Sequence, residues 1–404
     1  MLRSSLGFHT LTMSKWLLEG FGETKDHLIA DFQKYSQQTH NIQIYTSTHG
    51  NVRIKFHKND EGIEWVIRPN IWVERGRMWL SFIDVKINPK ILSGIHDYIT
   101  AATYDDIGVA IANFNRISSS ISPLLGTFED YTLKRTDYCF NCAVSELAPG
   151  CTYKQIMDLL KRADIPYHFK EWEEYDTVSH RSKSRPGSFY LTNDSVHINY
   201  YSKYMQLLEK SRKNIENEYP PIPPEVLDAA EDIIRFEVQC KHPKVYSFSR
   251  AATAAGNHKI NKYESLLTPE FCQEIINGYF HKTIGQGHWY SLQAAISLVR
   301  SYNFNSQKEN RLIDAQELVN NCRGVVNAKE AYQGDDLDAF KRTLKDLDDL
   351  RINPVTIPRR WGIGRIWNLL EMYYEKESKE RMHKQFVEKI LNDKKLLKQA
   401  LAHK

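Results

Sequence analysis

Nothing in this 404-residue chain declares a class at first sight. It has no run of 18 apolar residues, so no membrane-spanning helix is expected. Cysteine is sparse: six residues, at 139, 142, 151, 240, 272 and 322, show no disulfide framework. Cys139-x-x-Cys142 with Cys151 lacks the fourth ligand of a zinc site, so reduced, buried thiols are expected. A formal charge of +4 is too small to mark a polyanion partner by itself. The N-terminal MLRSSLGFHTLTMSKWLL lacks a signal-peptide core and reads as an extension, and no internal repeat is visible. These absences leave a cytoplasmic protein of two or three domains, each large enough for its own core.

The charge distribution says more than its sum. Ser179 to Lys213 carries seven Lys or Arg against two acids, and Arg359 to Lys404 twelve against six. Such patches suit a polyanion.

Periodicity divides the chain. Residues 1–40 read as a partly helical extension, with Leu28, Ile29 and Phe32 on one helical face. Alternating segments Ile42–Tyr45, Val52–Phe56, Trp65–Arg68, Met78–Phe82 and Val85–Ile87 read as strands. A helix is expected over Tyr104–Ile121, a strand over Leu133–Val144, and a helix from Cys151 to about Ala163. The polar, Gly/Pro-containing stretch 174–188 reads as a loop. A helix from Met205 to about Asn217 and a strand over Ile233–Cys240 follow. After about residue 247 the pattern turns helical, so the expected division is an extension (1–40), an α+β domain (41–247) and a helical region (248–404).

The most informative stretch is Tyr190–Lys203, Y-L-T-N-D-S-V-H-I-N-Y-Y-S-K. In a strand, side chains alternate faces. Ser195, His197, Asn199, Tyr201 and Lys203 therefore share one face, and Val196, Ile198 and Tyr200 the other. Two further strands carry charge in apolar surroundings: Leu133–Tyr138 holds Asp137, and Ile233–Val238 holds Arg235 and Glu237. Charges seldom sit in such strands unless paired or bound to a metal.

A phenol is a weak nucleophile at neutral pH, since its pKa is about 10. Attack on a phosphodiester by Tyr201 needs a nearby cation. Asp137 and Glu237 are hard oxygen ligands suited to Mg²⁺ or Mn²⁺, His197 offers a nitrogen ligand, and Lys203 stabilises phosphate charge. Tyr200 and Tyr204 compete for the nucleophile role, being stacked at i and i+4 if the segment is helical. Glu209 and Gln206 in the next helix are within reach of the same site. Arg181, Lys183 and Arg185, with His180, are expected to hold phosphates of a single strand.

R-T-D-Y, then S-F-Y-L-T-N-D-S-V-H-I-N-Y-Y-S-K-Y-M-Q-L, then I-I-R-F-E-V resemble the filamentous-phage gene II family of replication proteins and its phage, plasmid and integrative-element relatives. The upstream K-I-N-P-K-I-L-S-G-I-H-D is also similar, and the resemblance covers roughly residues 78–243. It implies a rolling-circle initiator with a nicking-endonuclease-like antiparallel sheet. Such a protein cuts one strand at an origin, bonds to the 5′-phosphate through tyrosine, and rejoins the displaced strand. The family's Tyr-x-Lys falls on Tyr201 and Lys203, and the acids of its other two motifs on Asp137 and Glu237. A His-hydrophobic-His metal motif is missing; His197-Ile198-Asn199 stands in its place.

The implied partners are single-stranded and duplex origin DNA, a host helicase and single-strand-binding protein in the bacterial cytoplasm, and no membrane. Leu337–Leu350 with the turn into Arg359-Arg360-Trp361 reads either as part of a duplex-binding winged or helix-turn-helix unit, or as an oligomerisation or helicase-docking module. A mobilisation relaxase would use the same chemistry. A non-catalytic DNA-binding regulator and a simple metal-dependent nuclease are the rivals from other classes.

Overall fold

A computed structural model describes residues 3–17, 21–56, 61–73, 78–171, 174–176, 181–183, 187–216, 219–254, 263–332 and 336–402. Ten strands form one antiparallel sheet: β1 (Ser5–Leu17), β2 (Ile42–Thr46), β3 (Val52–Phe56), β4 (Ile63–Val73), β5 (Met78–Ile87), β6 (Thr132–Ala143), β7 (Lys170–Glu171), β8 (Ser188–Thr192), β9 (Val196–Ser202) and β10 (Ile233–Cys240). Their spatial order is β2-β3-β4-β5-β1-β6-β10-β9-β8-β7. The helices that matter for the site are α1 (Phe21–Thr39), α2 (Tyr104–Ile121), α3 (Tyr153–Lys161), α4 (Lys203–Glu216) and α5 (Pro269–Ile284). The class is α+β, as the strand pattern implies.

The connectivity repeats, although the sequence shows no repeat. β1 leads through α1 into the meander β2 to β5, whose last strand returns to pair with β1. β6 leads through α3 into β7 to β10, whose last strand returns to pair with β6. The two first strands then pair with each other, antiparallel, at the centre.

The helix expected within residues 1–40 is present as α1, but the segment before it is no extension. Ser5–Leu17 is a central strand. The reason it escapes a period-2 reading is a bulge: Phe8 pairs Tyr138 and Leu11 pairs Thr136, so His9 and Thr10 together oppose Asp137. Before the bulge, Phe8 is a core residue; after it, Leu11, Met13 and Leu17 are. One inserted residue shifts the phase of the apolar face.

The two faces of the sheet differ. On one, Tyr200 of β9, Phe236 of β10, and Tyr138 and Phe140 of β6 pack on α5 and on the helix Leu369–Ala402, with Phe236 and Phe280 rings 5.6 Å apart, Tyr138 and Phe271 5.9 Å apart, and Phe140 and Tyr373 5.3 Å apart. Phe32 of α1 packs on Trp65 of β4 with ring centroids 5.4 Å apart. This core runs unbroken into the helices beyond residue 247, reaching Ile276, Phe280, Trp289 and Leu347. On the other face lie Asn199 and Tyr201 of β9, Arg235, Glu237 and Gln239 of β10, and Asp137, Cys139 and Asn141 of β6.

Part of that polar face is roofed. The segment 97–102 lies along β1, where Phe8 and Ala102 exchange backbone hydrogen bonds of 2.8 and 3.0 Å. The approach is so close that a Cβ at Gly7 would collide with the Ala102 carbonyl oxygen. Leu207 of α4 with Ile222 and Ala230 forms a small second core, against which Tyr98, Ile99 and Tyr204 pack. Buried charge is thus held between two apolar layers. α2 leads away from this roof, started by a Thr103–Asp106 capping box and stopped before Pro123. No helix of the described residues is long and apolar enough to cross a membrane.

Candidate active site and metal centre

Three adjacent strands supply the centre. Glu237 on β10, Asp137 on β6 and His9 on β1 present ligand atoms that all lie within 4.8 Å of one another. His9 reaches it because the bulge re-aims its ring; Nδ1 stands 3.1 Å from Glu237 Oε2. Both carboxylates are buried. Two such charges at this separation repel by about 3–4 kcal/mol in an effective dielectric of about 20, enough to keep them from ionising together unaided.

The surroundings answer that repulsion in part. Arg135 donates to both oxygens of Asp137, Nε to Oδ1 and Nη2 to Oδ2, each at 2.7 Å. Glu237 accepts from Gln239 Nε2 at 2.6 Å and from the Tyr201 hydroxyl at 3.2 Å. Burial pushes the Asp137 carboxyl well up, Glu237 adds to the push, and Arg135 opposes it. Burial acts on Glu237 in the same sense, but His9, Gln239 and Arg235 outweigh it and hold that group ionised. The His9 imidazole is depressed by burial, with Arg235 and Lys203 adding to the effect against Glu237. An imidazole and one ionised carboxylate beside a second, half-compensated one form a donor set that fits a hard or borderline divalent cation. His9, Asp137 and Glu237 would hold it.

Tyr201 faces this centre, and its neighbour does not. The Tyr200 ring stacks between Phe189 and Phe236, each with centroids 4.6 Å away, and its hydroxyl meets Thr283 Oγ1 at 2.5 Å. Tyr204 packs in the small second core. Burial and the Glu237 charge push the Tyr201 phenol well above its ordinary value, and Arg235, directly across on β10, pulls the other way. Arg235 is fixed: Nε donates to Asn141 Oδ1 at 2.7 Å and Nη2 to the Ile99 carbonyl at 2.5 Å.

Lys203, the first residue of α4, is buried and donates to Gln206 Oε1 at 2.7 Å. Burial, Arg235 and Lys90 push its amine well down. A cavity of about 300 Å³ opens at this point, lined by His9, Lys90, His96, Lys203, Lys210 and Arg235 among others. It carries four Lys or Arg and one acid, Asp97. An anion of phosphate size suits that lining.

Of the residues singled out from sequence, Asp137, Glu237 and Tyr201 come together, with Lys203 beside the phenol ring, 6.0 Å from its centroid. His197 does not join the ligand cluster. It lies opposite Gln239, one row beyond Asn199 and Glu237, and its place is taken by His9. Gln206 lines the cavity, while Glu209 pairs with Lys213 at 2.8 Å on the surface of α4. Stretch 174–188 holds a short ribbon, 174–176 with 181–183. The side chains of Arg181 and Lys183, and Arg185 and His180 altogether, lie outside the described residues. Arg359 and Arg360 are exposed in a single 3-10 turn, Arg359–Trp361. All six cysteines are free, and burial pushes the Cys139 thiol up to about 11.

Comparison with solved structures finds a similarity to the rolling circle replication initiator protein from Geobacillus stearothermophilus. Identity is 9%, the TM-score is 0.32, and the match covers 69% of this chain and 85% of that one. Neither a family model nor a curated protein matches. What sequence reasoning missed is His9, the positioning of Arg235, and Lys90 in the cavity. Arg235 was legible as a charge inside an apolar strand; His9 was concealed by the bulge.

Proposed function

We infer that this protein is a rolling-circle replication initiator that cuts and rejoins one DNA strand through a phosphotyrosine on Tyr201. The observation that carries the reading is the Tyr201 hydroxyl, hydrogen-bonded to a carboxylate of the His9–Asp137–Glu237 cluster whose His9 also lines the cavity bearing Lys90, Lys203, Lys210 and Arg235. His9, Asp137 and Glu237 would hold Mg²⁺ or Mn²⁺, which would supply Lewis-acid polarisation of a phosphate oxygen and offset the carboxylate charge.

The chain's own groups do the rest. Tyr201 Oη attacks phosphorus and releases its proton to solvent, with Arg235 opposite it favouring the phenolate. The bond from phosphorus to the 3′ oxygen breaks, and that oxygen leaves as a hydroxyl with a proton from solvent. Lys203 and Arg235 hold the charge gathering on the phosphate oxygens. Because a phosphodiester is exchanged for a phosphotyrosyl ester, the reverse attack by a 3′ hydroxyl reseals the strand. Replication and mobilisation would share these steps, so the replicon type rests on the family resemblance.

The test incubates purified protein with Mg²⁺ or Mn²⁺ and labelled single strands from its own replicon. A metal-dependent covalent adduct mapped by mass spectrometry to Tyr201, and absent from Tyr201→Phe, is expected. An adduct on Tyr200 or Tyr204 would move the nucleophile. Salt-sensitive binding without adduct under any metal would leave a DNA-binding regulator, and cleavage with free 5′ ends a simple nuclease.

A further inference from the structure

The polar face of the sheet continues from the metal centre across the N-terminal half, and there it is open. Register places side chains on this face in rows that cross the strands. One row runs Lys55, Glu64, Lys86, Thr12 and Arg135. The next runs Tyr45, Arg53, Val66, Asp84 and Ser14. A third holds Arg68, Phe82 and Trp16. The first row ends on Arg135, the bidentate partner of Asp137. Four strand spacings of about 4.8 Å make it roughly 19 Å long.

Two features separate this face from an ordinary wet one. Cations outnumber acids: Arg53 and Lys55 share the single carboxylate of Glu64 at 2.9 and 3.6 Å, Arg68 takes Asp84 at 2.7 Å, and Lys86 is exposed. Large aromatic rings also stand in solvent, with Tyr45 50% and Trp16 46% exposed. Trp16 meets Phe82 edge-on at 5.5 Å, and the Arg68 guanidinium lies over Phe82 at 5.5 Å. Aromatic faces interleaved with cations on an open sheet accept unpaired bases and their phosphates together. A duplex hides its base faces and would leave the rings unused.

We propose that this open half of the sheet is a platform for single-stranded DNA, guiding the strand toward Tyr201. The proposal rests on the cleavage reading for its direction, but the surface can be tested without it. Fluorescence anisotropy is measured with labelled single strands and duplexes of equal length, using full-length Tyr201→Phe protein without divalent metal. Arg53→Ala/Lys86→Ala should weaken single-strand binding about tenfold and flatten its salt dependence, by roughly 0.7 in log–log slope for each lost phosphate contact. Trp16→Ala should weaken it about tenfold as well, and Trp16→Phe much less, since a ring remains for stacking. Duplex affinity should stay within twofold. Circular dichroism and melting of these surface variants check the fold.

Single-strand affinity within twofold of the parent in both Ala variants overturns the platform, even if the Tyr201 adduct forms. Equal losses on duplex overturn its single-strand character. Weakened single-strand binding in these variants, with no adduct from the wild-type protein under either metal, would sink the cleavage reading and leave the platform standing.

Discussion

His9 and His197 stand on opposite sides of Glu237, and only the first has a ring nitrogen within ligand distance of both carboxylates. The two histidines should therefore separate cleanly. His9→Ala should weaken Mn²⁺ binding, read by titration calorimetry, by more than the roughly 10–100-fold that losing an outer partner costs a metal site. His197→Ala should leave it within about threefold. Equal effects would reassign the ligand set. At this scale the sequence was readable where chemistry and burial conflict. Asp137 and Glu237 announce themselves as charges in apolar strands, and Tyr201 as the odd-numbered partner of a Val196–Ile198–Tyr200 core face. His9 was not readable, because its role depends on which residue of a neighbouring strand it opposes, and no local pattern encodes that.

The roof is the element that makes a buried site possible, and Asp97 anchors it. Burial tends to raise the Asp97 pKa. Hydrogen bonds from the Thr100 hydroxyl and from the Thr100 and Ile99 amides, with the Lys90 charge, overcome this and lower it from 3.8 to about 2. A folded pKa below the unfolded one means a stabilising contribution present above about pH 4 and lost as pH falls through about 2. Asp97→Asn should therefore reduce stability near neutrality, with the gap between variant and parent closing below about pH 3. Urea denaturation midpoints across this pH range check it, and a gap independent of pH would exclude the linkage. Helix-rich stretches bordering the roof were legible, since α2 carries its own start and stop signals. The roof was not, because its order comes from contacts with Phe8, Asn141 and Arg235, far away in sequence.

For the whole molecule, the sequence suggested a division near residue 247, where strand alternation ends. The core ignores that change in texture. Cys272, Ile275, Ile276 and Phe280 of α5 are buried in the same cluster as Phe236 and Tyr138. Removing α5 uncovers Tyr138, Phe140, Tyr200 and Phe236 on the sheet, and exposing four large side chains forfeits roughly 6–12 kcal/mol at about 1.5–3 kcal/mol each, comparable to the 5–15 kcal/mol total stability of ordinary domains. A chain ending at residue 247 should therefore lack a cooperative thermal transition and aggregate. A sharp calorimetric transition in that fragment would show an independent catalytic domain. Alternation reveals which face of each strand is apolar; it does not reveal whether a later helix must cover it.

The doubled connectivity also dictates when the candidate site can assemble during synthesis. Residues 9, 137 and 237 are each a hundred or more positions apart, and β6, though β1 already pairs it on one side, lacks its second partner until β10 has left the ribosome. With α5 still to come, a nascent or prematurely terminated chain cannot assemble Tyr201, the neighbouring carboxylates and the apolar floor beneath them. On the cleavage reading, a half-made copy is harmless to any DNA it meets.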